Sequence, residues 1–177
     1  DIVYIDDSAE NCFFMFANNT THDITLLSEP SYEAAVVVDN TQYDLEHADR
    51  FTVDGRTVHM EDYLSYAHYQ CAMSACIILG QWFDYLRDND LYDNTRIIIV
   101  SDHGYSFHQF DDLDLPDLGY DGEQLNPVLL VKDFDATGFT VNYDFMTNAD
   151  TPSLALQGIV ESPENPFTGN PIDMSPK

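Results

Sequence analysis

Two side chains that bind metal ions, a carboxylate and an imidazole, stand side by side at Asp102 and His103 and are followed at once by Gly104. They follow Ile97–Val100, a run of four β-branched apolar residues, with only Ser101 between. A short apolar run bounded by polar turn residues indicates a strand buried on both faces, and such strands belong to parallel sheets covered by helices. In open α/β sheets, ligands bind at the carboxyl ends of the strands. Asp102 and His103 are therefore candidate metal ligands at a strand end.

Two further histidines, His22 and His108, are expected near strand ends or near the same site. His22 lies in a polar loop after the apolar run Cys12–Ala17, so it too is expected near the carboxyl end of a strand. His108 follows shortly after His103 and can return toward the same site. The competing interpretation is an ordinary loop histidine, which composition alone favours for His22.

One long helix and several short strands are expected to position these residues. Apolar residues recur every three or four positions between Met60 and Asn89, which predicts a helix whose wide apolar stripe packs on a sheet. This helix leads through a tight turn into Ile97–Val100, so the two form half of a βαβ unit with a right-handed crossover. A second helix is expected from Asp150, because Pro152 is tolerated in a first turn. Further short strands are predicted at Ala35–Val38, Asn126–Lys132 and Phe139–Asn142.

Length and composition indicate one globular domain over residues 1–177, with an irregular, proline-containing tail over residues 162–177. The 6 Lys and Arg residues against 32 Asp and Glu residues give a formal charge of −26. This balance excludes nucleic acid and anionic membrane surfaces as partners, because both require a basic surface. It favours solubility or the binding of divalent cations, and an anionic substrate would need a bound metal to reverse the local field.

Other polar groups have less specific interpretations. The acidic stretch Ser106–Gln124 lacks the spacing of an EF-hand and is expected to be a solvated loop rather than a calcium loop. Arg50 is expected to form a surface ion pair, or else to contact an anionic substrate. Cys12, Cys71 and Cys76 lack zinc-finger spacing and are expected to be small buried residues. No apolar run approaches ~18 residues, so no membrane span is expected.

Several motifs occur in the order in which sulfatases and their relatives in the alkaline phosphatase superfamily carry them. Residues 92–104 (YDNTRIIIVSDHG) resemble the strand that ends in metal ligands, and residues 126–131 (NPVLLV) resemble the strand that follows it. Residues 150–158 (DTPSLALQG) resemble the helix near the end of the catalytic domain. Residues 19–22 (NTTH) fall where the family has a histidine near the substrate. The most similar branch contains the membrane-anchored lipoteichoic acid synthases and phosphoglycerol transferases of bacteria.

The resemblance implies an α/β fold, a three-layer α/β/α sandwich, of which this chain is the C-terminal part. It also implies one or two divalent metal ions (Mn, Mg, Ca or Zn) and attack on a phosphate or sulfate ester by a side-chain nucleophile. Carried over by position, Asp102 and His103 are metal ligands and His22 contacts the substrate or its leaving group. His108 is a weaker candidate for a similar role. The implied location is the extracytoplasmic side of a bacterial membrane.

The nucleophile and a further metal carboxylate belong to the first half of that catalytic domain, and residues 1–177 contain no match to them. Cys12 lacks the C-x-P-S-R setting that formylglycine requires, and Thr20 and Thr21 lie in the wrong place. We therefore expect an excerpt that does not turn over substrate alone. It should expose a sheet edge or apolar surface for the missing N-terminal half or a dimer partner. The alternative is a non-catalytic acidic domain that binds a divalent cation or a protein partner on the same fold.

Overall fold

The computed structural model describes residues 11–174, and it has the mixed helix and strand content expected of the α/β class. The chain, predicted as one domain, divides into two compact units, which within the described part comprise residues 11–50 with 60–76 and residues 51–59 with 77–174. The helices are α1 (Thr41–Glu46), α2 (Tyr63–Asp88) and α3 (Thr151–Leu156), and the strands are β1 (Thr52–Val53), β2 (Arg56–Thr57), β3 (Ile97–Val100), β4 (Asp114–Leu115), β5 (Tyr120–Asp121) and β6 (Leu129–Lys132).

The long helix is confirmed as α2, and local side chains set its ends. Asp62 accepts a hydrogen bond of 3.0 Å from the backbone N–H of Ser65, which satisfies one of the unpaired donors of the first turn. The same bond holds the pKa of the Asp62 carboxyl below its usual range. Asp90 has a positive φ of 56°, and the N–H of Leu91 reaches back to the carbonyl of Leu86 at 2.8 Å. This left-handed turn ends the helix.

In the first unit, side chains bond the backbone of an extended segment that has no strand partner. The N–H of Leu27 donates to Gln70 Oε1 and its carbonyl accepts from Asn40 Nδ2, each at 2.8 Å. Gln70 is fully buried in α2, and Leu27 packs with Tyr32 and Cys71 in the small core of this unit. Buried backbone groups need partners, and these amides supply them without a sheet.

Arg50 lies inside the first unit. Its guanidinium donates to Glu29 Oε2 at 3.0 Å and to Asp44, and the Tyr66 hydroxyl also contacts both carboxylates. The Glu29 side chain is fully buried and that of Arg50 is 12% exposed. The predicted ion pair of Arg50 is therefore present, but the prediction that it lies on the surface was wrong, because the guanidinium neutralises the buried Glu29. Burial and these carboxylates raise the pKa of the Tyr66 hydroxyl, which keeps it a donor.

In the second unit, β3 is confirmed as a strand, but the parallel sheet and the right-handed crossover are wrong. β3 pairs with β6 in antiparallel register, with Ile97 opposite Lys132 and Val100 opposite Leu129. The chain between the strands turns back, so β3 pairs with the strand that follows it and needs no crossover. Burial also falls along β3, from buried Ile97 to exposed Val100. The expectation of a strand buried on both faces is wrong as well.

Three other predicted strands are absent from the described residues, because an apolar run becomes a strand only where a partner strand exists. Residues 12–17, 35–38 and 139–142 have no strand conformation, and Phe13 and Phe139 are exposed. Cys71 is buried as expected, whereas Cys12 and Cys76 are exposed. The second predicted helix is present as α3, which ends at Leu156. Residues 162–174 contain no helix or strand, as the tail prediction states.

The β3–β6 sheet has the exposed edges that the sequence predicts. Within residues 11–174 these two strands pair only with each other, so the outer edge of each lacks a strand partner. Leu130 and Val131 of β6 and the nearby Val128 are each close to half exposed. A two-stranded sheet is only marginally stable in water by itself. Among the described helices, none combines the length and hydropathy needed to cross a membrane.

Replacing Arg50 by alanine is expected to lower the free energy of unfolding of the first unit by about 3–5 kcal/mol, since the Glu29 carboxylate would stay buried without its cation. Arg87→Ala is the control, because its ion pair with Asp84 is solvent-exposed and contributes less than about 1 kcal/mol. Hydrogen exchange of residues 66–76 at increasing urea concentrations measures the free energy of unfolding of both variants. Equal losses in the two variants would contradict an internal role for Arg50.

Candidate metal centre

The strand end that carries Asp102 is held by one further pair of hydrogen bonds beyond the ladder. The N–H of Ser101 donates to the carbonyl of Val128 at 3.0 Å, and the N–H of Val128 donates to Ser101 Oγ at 2.9 Å. The serine hydroxyl thus replaces a backbone acceptor where the ladder stops. Asp102 is consequently the first residue beyond the paired strand, and its position is set by β3 and β6.

Gly104 is required by a close approach of two backbone segments. Its N–H donates to the carbonyl of Gln124 at 2.9 Å. A Cβ at this position would come within 3.0 Å of the Glu123 carbonyl oxygen and lie 3.1 Å from that of Asn126. A side chain here would push the segment 123–126 away, so the glycine after the Asp-His pair allows the turn to pack.

The separation of the donor atoms of Asp102 and His103 is compatible with two ligands of one cation. His103 Nδ1 lies 2.6 Å from the carbonyl oxygen of Gly104, which can only accept, so Nδ1 carries the proton and Nε2 presents its lone pair. Nε2 lies 3.6 Å from Asp102 Oδ2, and both side chains are exposed. Tetrahedral ligands about 2.1 Å from a zinc ion stand about 3.4 Å apart. The donor pair therefore fits a divalent ion, with a carbonyl that orients the imidazole as in known metal sites.

Asn148 connects this strand end to the region before α3. Its Nδ2 donates to the carbonyl of Asp102 at 2.8 Å. Asn148 begins a 3₁₀ turn over Asn148–Asp150, in which Asp150 Oδ2 accepts from the N–H of Thr147 at 2.8 Å. The bond fixes the backbone of the first ligand from a second direction. Sequence reasoning missed this role, and the available signal was an Asn in the capping segment just before the third matching motif, residues 150–158.

His108 contacts a separate set of acidic and hydroxyl groups. Its Nε2 lies 3.4 Å from Ser106 Oγ, and its Nδ1 lies 3.7 Å from Asp114 Oδ2. Asp121 Oδ2 accepts from Ser106 Oγ at 3.0 Å and from the N–H of His108 at 3.1 Å. The serine proton is therefore engaged by Asp121, which leaves His108 without the proton transfer of a serine–histidine pair.

The acidic loop is only partly solvated, which corrects the sequence interpretation of residues 106–124. Asp121 is buried, as is Glu123, whose Oε1 accepts from the N–H groups of Gln109 at 2.6 Å and Phe110 at 2.8 Å. Burial alone would raise the pKa of Asp121. The N–H donors of Glu123 and His108 and the nearby hydroxyl outweigh it and hold this pKa below its usual range. These acids organise the loop backbone.

His22 belongs to the first unit and stands on a turn. The N–H of His22 donates to the Asn19 carbonyl at 3.0 Å, and Asn18 Oδ1 accepts from the N–H of Thr20 at 2.7 Å. The imidazole is 79% exposed and lies 3.3 Å from Asp23. It is accessible to a ligand, while its local bonds are those of an ordinary polar turn.

The described part of the chain brings together two of the predicted ligands and no complete set. Among residues 11–174, no three His, Cys, Asp or Glu side chains form a group able to hold a metal ion. Comparison with models of protein families, with curated proteins and with solved structures finds no match for this chain. The family resemblance and the site residues carried over from it therefore remain predictions.

Replacing Gly104 by alanine is expected to lower the free energy of unfolding by about 3 kcal/mol, because the new methyl group would overlap the Glu123 carbonyl. Gly80→Ala is the matched control. Gly80 lies in α2, and a Cβ there would meet no atom within 4 Å. This substitution should raise the free energy of unfolding by about 0.5–1 kcal/mol, because alanine has the higher helix propensity. Urea unfolding monitored by Trp82 fluorescence compares the two. Tolerance of both substitutions would show that the two segments need no glycine.

Because the pKa of Asp121 is lowered, we expect its contribution to folding stability to depend on pH. A carboxyl whose pKa is lower in the folded state adds stability that is present above its unfolded pKa, about 3.9, and is lost as the pH falls through the folded value. Asp121→Asn should therefore be destabilised at pH 7 and approach the wild type in acid. Asp112→Asn, an exposed site on the same loop, controls for loss of a charge. Urea unfolding at a series of pH values measures the free energy of unfolding of each variant. A difference between the wild type and Asp121→Asn that stays constant with pH would contradict the prediction.

Proposed function

We propose that this chain forms part of a metal-dependent, sulfatase-like hydrolase or phosphoglycerol-type transferase that acts on a phosphate or sulfate ester. The observation that carries the proposal is the pairing of His103 Nε2 with Asp102 Oδ2 at 3.6 Å, at the carboxyl end of β3. The proposed fold is the three-layer α/β/α sandwich of the alkaline phosphatase superfamily. The proposed location is the extracytoplasmic side of a bacterial membrane.

Asp102 and His103 would hold the divalent ion, which when bound supplies charge neutralisation and a lowered pKa for a nucleophile. The formal charge of −26 disfavours the approach of an anionic ester, and the positive charge of such an ion would offset that repulsion locally. His22, exposed on its turn, contacts the substrate or its leaving group. His108 has the lesser claim to that role, because its contacts with Ser106 and Asp114 already orient it.

Two donors do not complete a metal site, so further ligands and the nucleophile come from a covering N-terminal half of the domain or from a dimer partner. Within residues 11–174 the outer edges of β3 and β6 have no strand partner, which is consistent with such a covering element. The 177-residue chain alone does not turn over substrate in this proposal.

The second candidate is a non-catalytic acidic domain that binds a divalent cation or a protein partner. The observation that favours it is the lack of a third metal donor beside Asp102 and His103 within residues 11–174. A cation held by two donors is bound weakly and does not require catalysis. In its cation-binding form this candidate predicts a cation at the same residues as the first, and the two then differ in whether a nucleophile completes the site.

A Mn²⁺ titration followed by NMR tests the metal site, since paramagnetic broadening locates a weakly bound ion. We expect the His103 ring signals and the amide signals of residues 102–104 to broaden first in the wild type. Asp102→Asn should weaken this effect about tenfold, because one of two donors loses its charge. Asp112→Asn, which leaves the strand end intact, should preserve it. Equal broadening at His103 in wild type and Asp102→Asn would remove Asp102 from the site.

A further inference from the structure

The second unit contains a solvent-open pocket of about 380 Å³ that brings together three basic side chains. They are Arg56 on β2, His59 just beyond it and His108 from the loop after the candidate metal ligands. Phe110 and the carboxylates of Asp111 and Asp112 also line this pocket. The chain has only 6 Lys and Arg residues, so an arginine grouped with two histidines is uncommon in its composition.

Arg56 differs from the other described Lys and Arg residues, whose charged groups are all held by carboxylates or carbonyls. Arg50 pairs with Glu29, Arg87 with Asp84 and Arg96 with Asp133, while Lys132 donates to backbone carbonyls. The Arg56 guanidinium instead lies over the Phe110 ring, 4.9 Å from its centroid. Within residues 11–174 it is the one cation that keeps its hydrogen-bond donors for a ligand.

The walls of the pocket are held in place by hydrogen bonds. The Gln109 amide pairs with the backbone of His59, accepting from its N–H at 2.6 Å and donating to its carbonyl at 2.7 Å. His108 has a positive φ of 51°, uncommon for a residue other than glycine, and its N–H is bound by Asp121. The buried Glu123 carboxylate binds the next two N–H groups of the loop. The three basic side chains, those of Arg56, His59 and His108, therefore project from a fixed backbone.

We propose that this pocket binds the phosphate or sulfate group of a small hydroxylated molecule. A guanidinium offers a planar pair of donors that matches an oxyanion, and imidazoles add further donors. Asp111 and Asp112 accept hydrogen bonds from hydroxyl groups on the same ligand and disfavour a bare anion. This site does not depend on the metal ligands at the end of β3, because every group it uses lies on other residues.

Titration of the full 177-residue chain, treated with a chelator, tests the pocket in the absence of metal. The probes are inorganic phosphate, inorganic sulfate and glycerol 3-phosphate at constant ionic strength, followed by NMR of the arginine side chains and the histidine rings. We expect shifts at Arg56, His59 and His108, with glycerol 3-phosphate binding more tightly than either inorganic ion. Preference for phosphate or for sulfate then identifies the ester group.

Arg56→Gln should weaken binding at least about tenfold, since it removes the charge and the paired donors. The affinity of Arg56→Lys should lie between those of the wild type and Arg56→Gln, because lysine keeps the charge but lacks the planar pair of donors. Arg87→Gln is the matched control in the same unit and should bind as the wild type does. Unchanged signals outside the pocket show that each variant is folded. Equal affinity of the wild type and Arg56→Gln, or no shift at the pocket in the wild type, would overturn the proposal.

Discussion

The structure depends on charged and amide side chains that bond the backbone where regular secondary structure is short. Buried N–H and C=O groups require partners, and strands of two to four residues provide few of them. Arg96 shows the principle most fully, since it donates to the carbonyls of Leu154, Ala155 and Gln157 at the end of α3 and also pairs with Asp133. A cation at the carboxyl end of a helix also complements the helix dipole.

The same principle applies to the candidate metal centre and to the pocket lined by Arg56, His59 and His108. Asn148 holds the carbonyl of Asp102, and the buried Asp121 and Glu123 hold the N–H groups of the loop that carries His108. Polar side chains therefore fix the backbone that presents the functional side chains. The strand end is stabilised on one side by pairing with β6 and on another by the asparagine, while the glycine lets the chain turn between them.

Local sequence was sufficient for the elements whose causes are local. The periodic apolar stripe predicts α2 closely, and the β-branched run predicts β3 and places Asp102 and His103 at its end. Pairing depends on contacts between distant residues, so the antiparallel partner of β3 was not evident from the run itself. The bond from Asn148 to Asp102 spans 46 positions. The burial of Asp121 and Glu123 likewise contradicts what an acidic composition suggests, because it depends on the backbone that they bind.

The engagement of cations inside the units affects how copies of the chain meet in solution. The net charge of −26 makes copies of the chain repel each other, and most of the basic groups are already bound to acids and carbonyls of the same chain. At physiological ionic strength this repulsion extends over a Debye length of about 8 Å. Exposed aromatic side chains, among them Phe139, Tyr143 and Phe145, stay apolar whatever the salt concentration. Ionic strength therefore controls colloidal behaviour. In dilute buffer the repulsion keeps the chains apart. Concentrated salt screens it, so that the exposed aromatic side chains of different copies can come into contact.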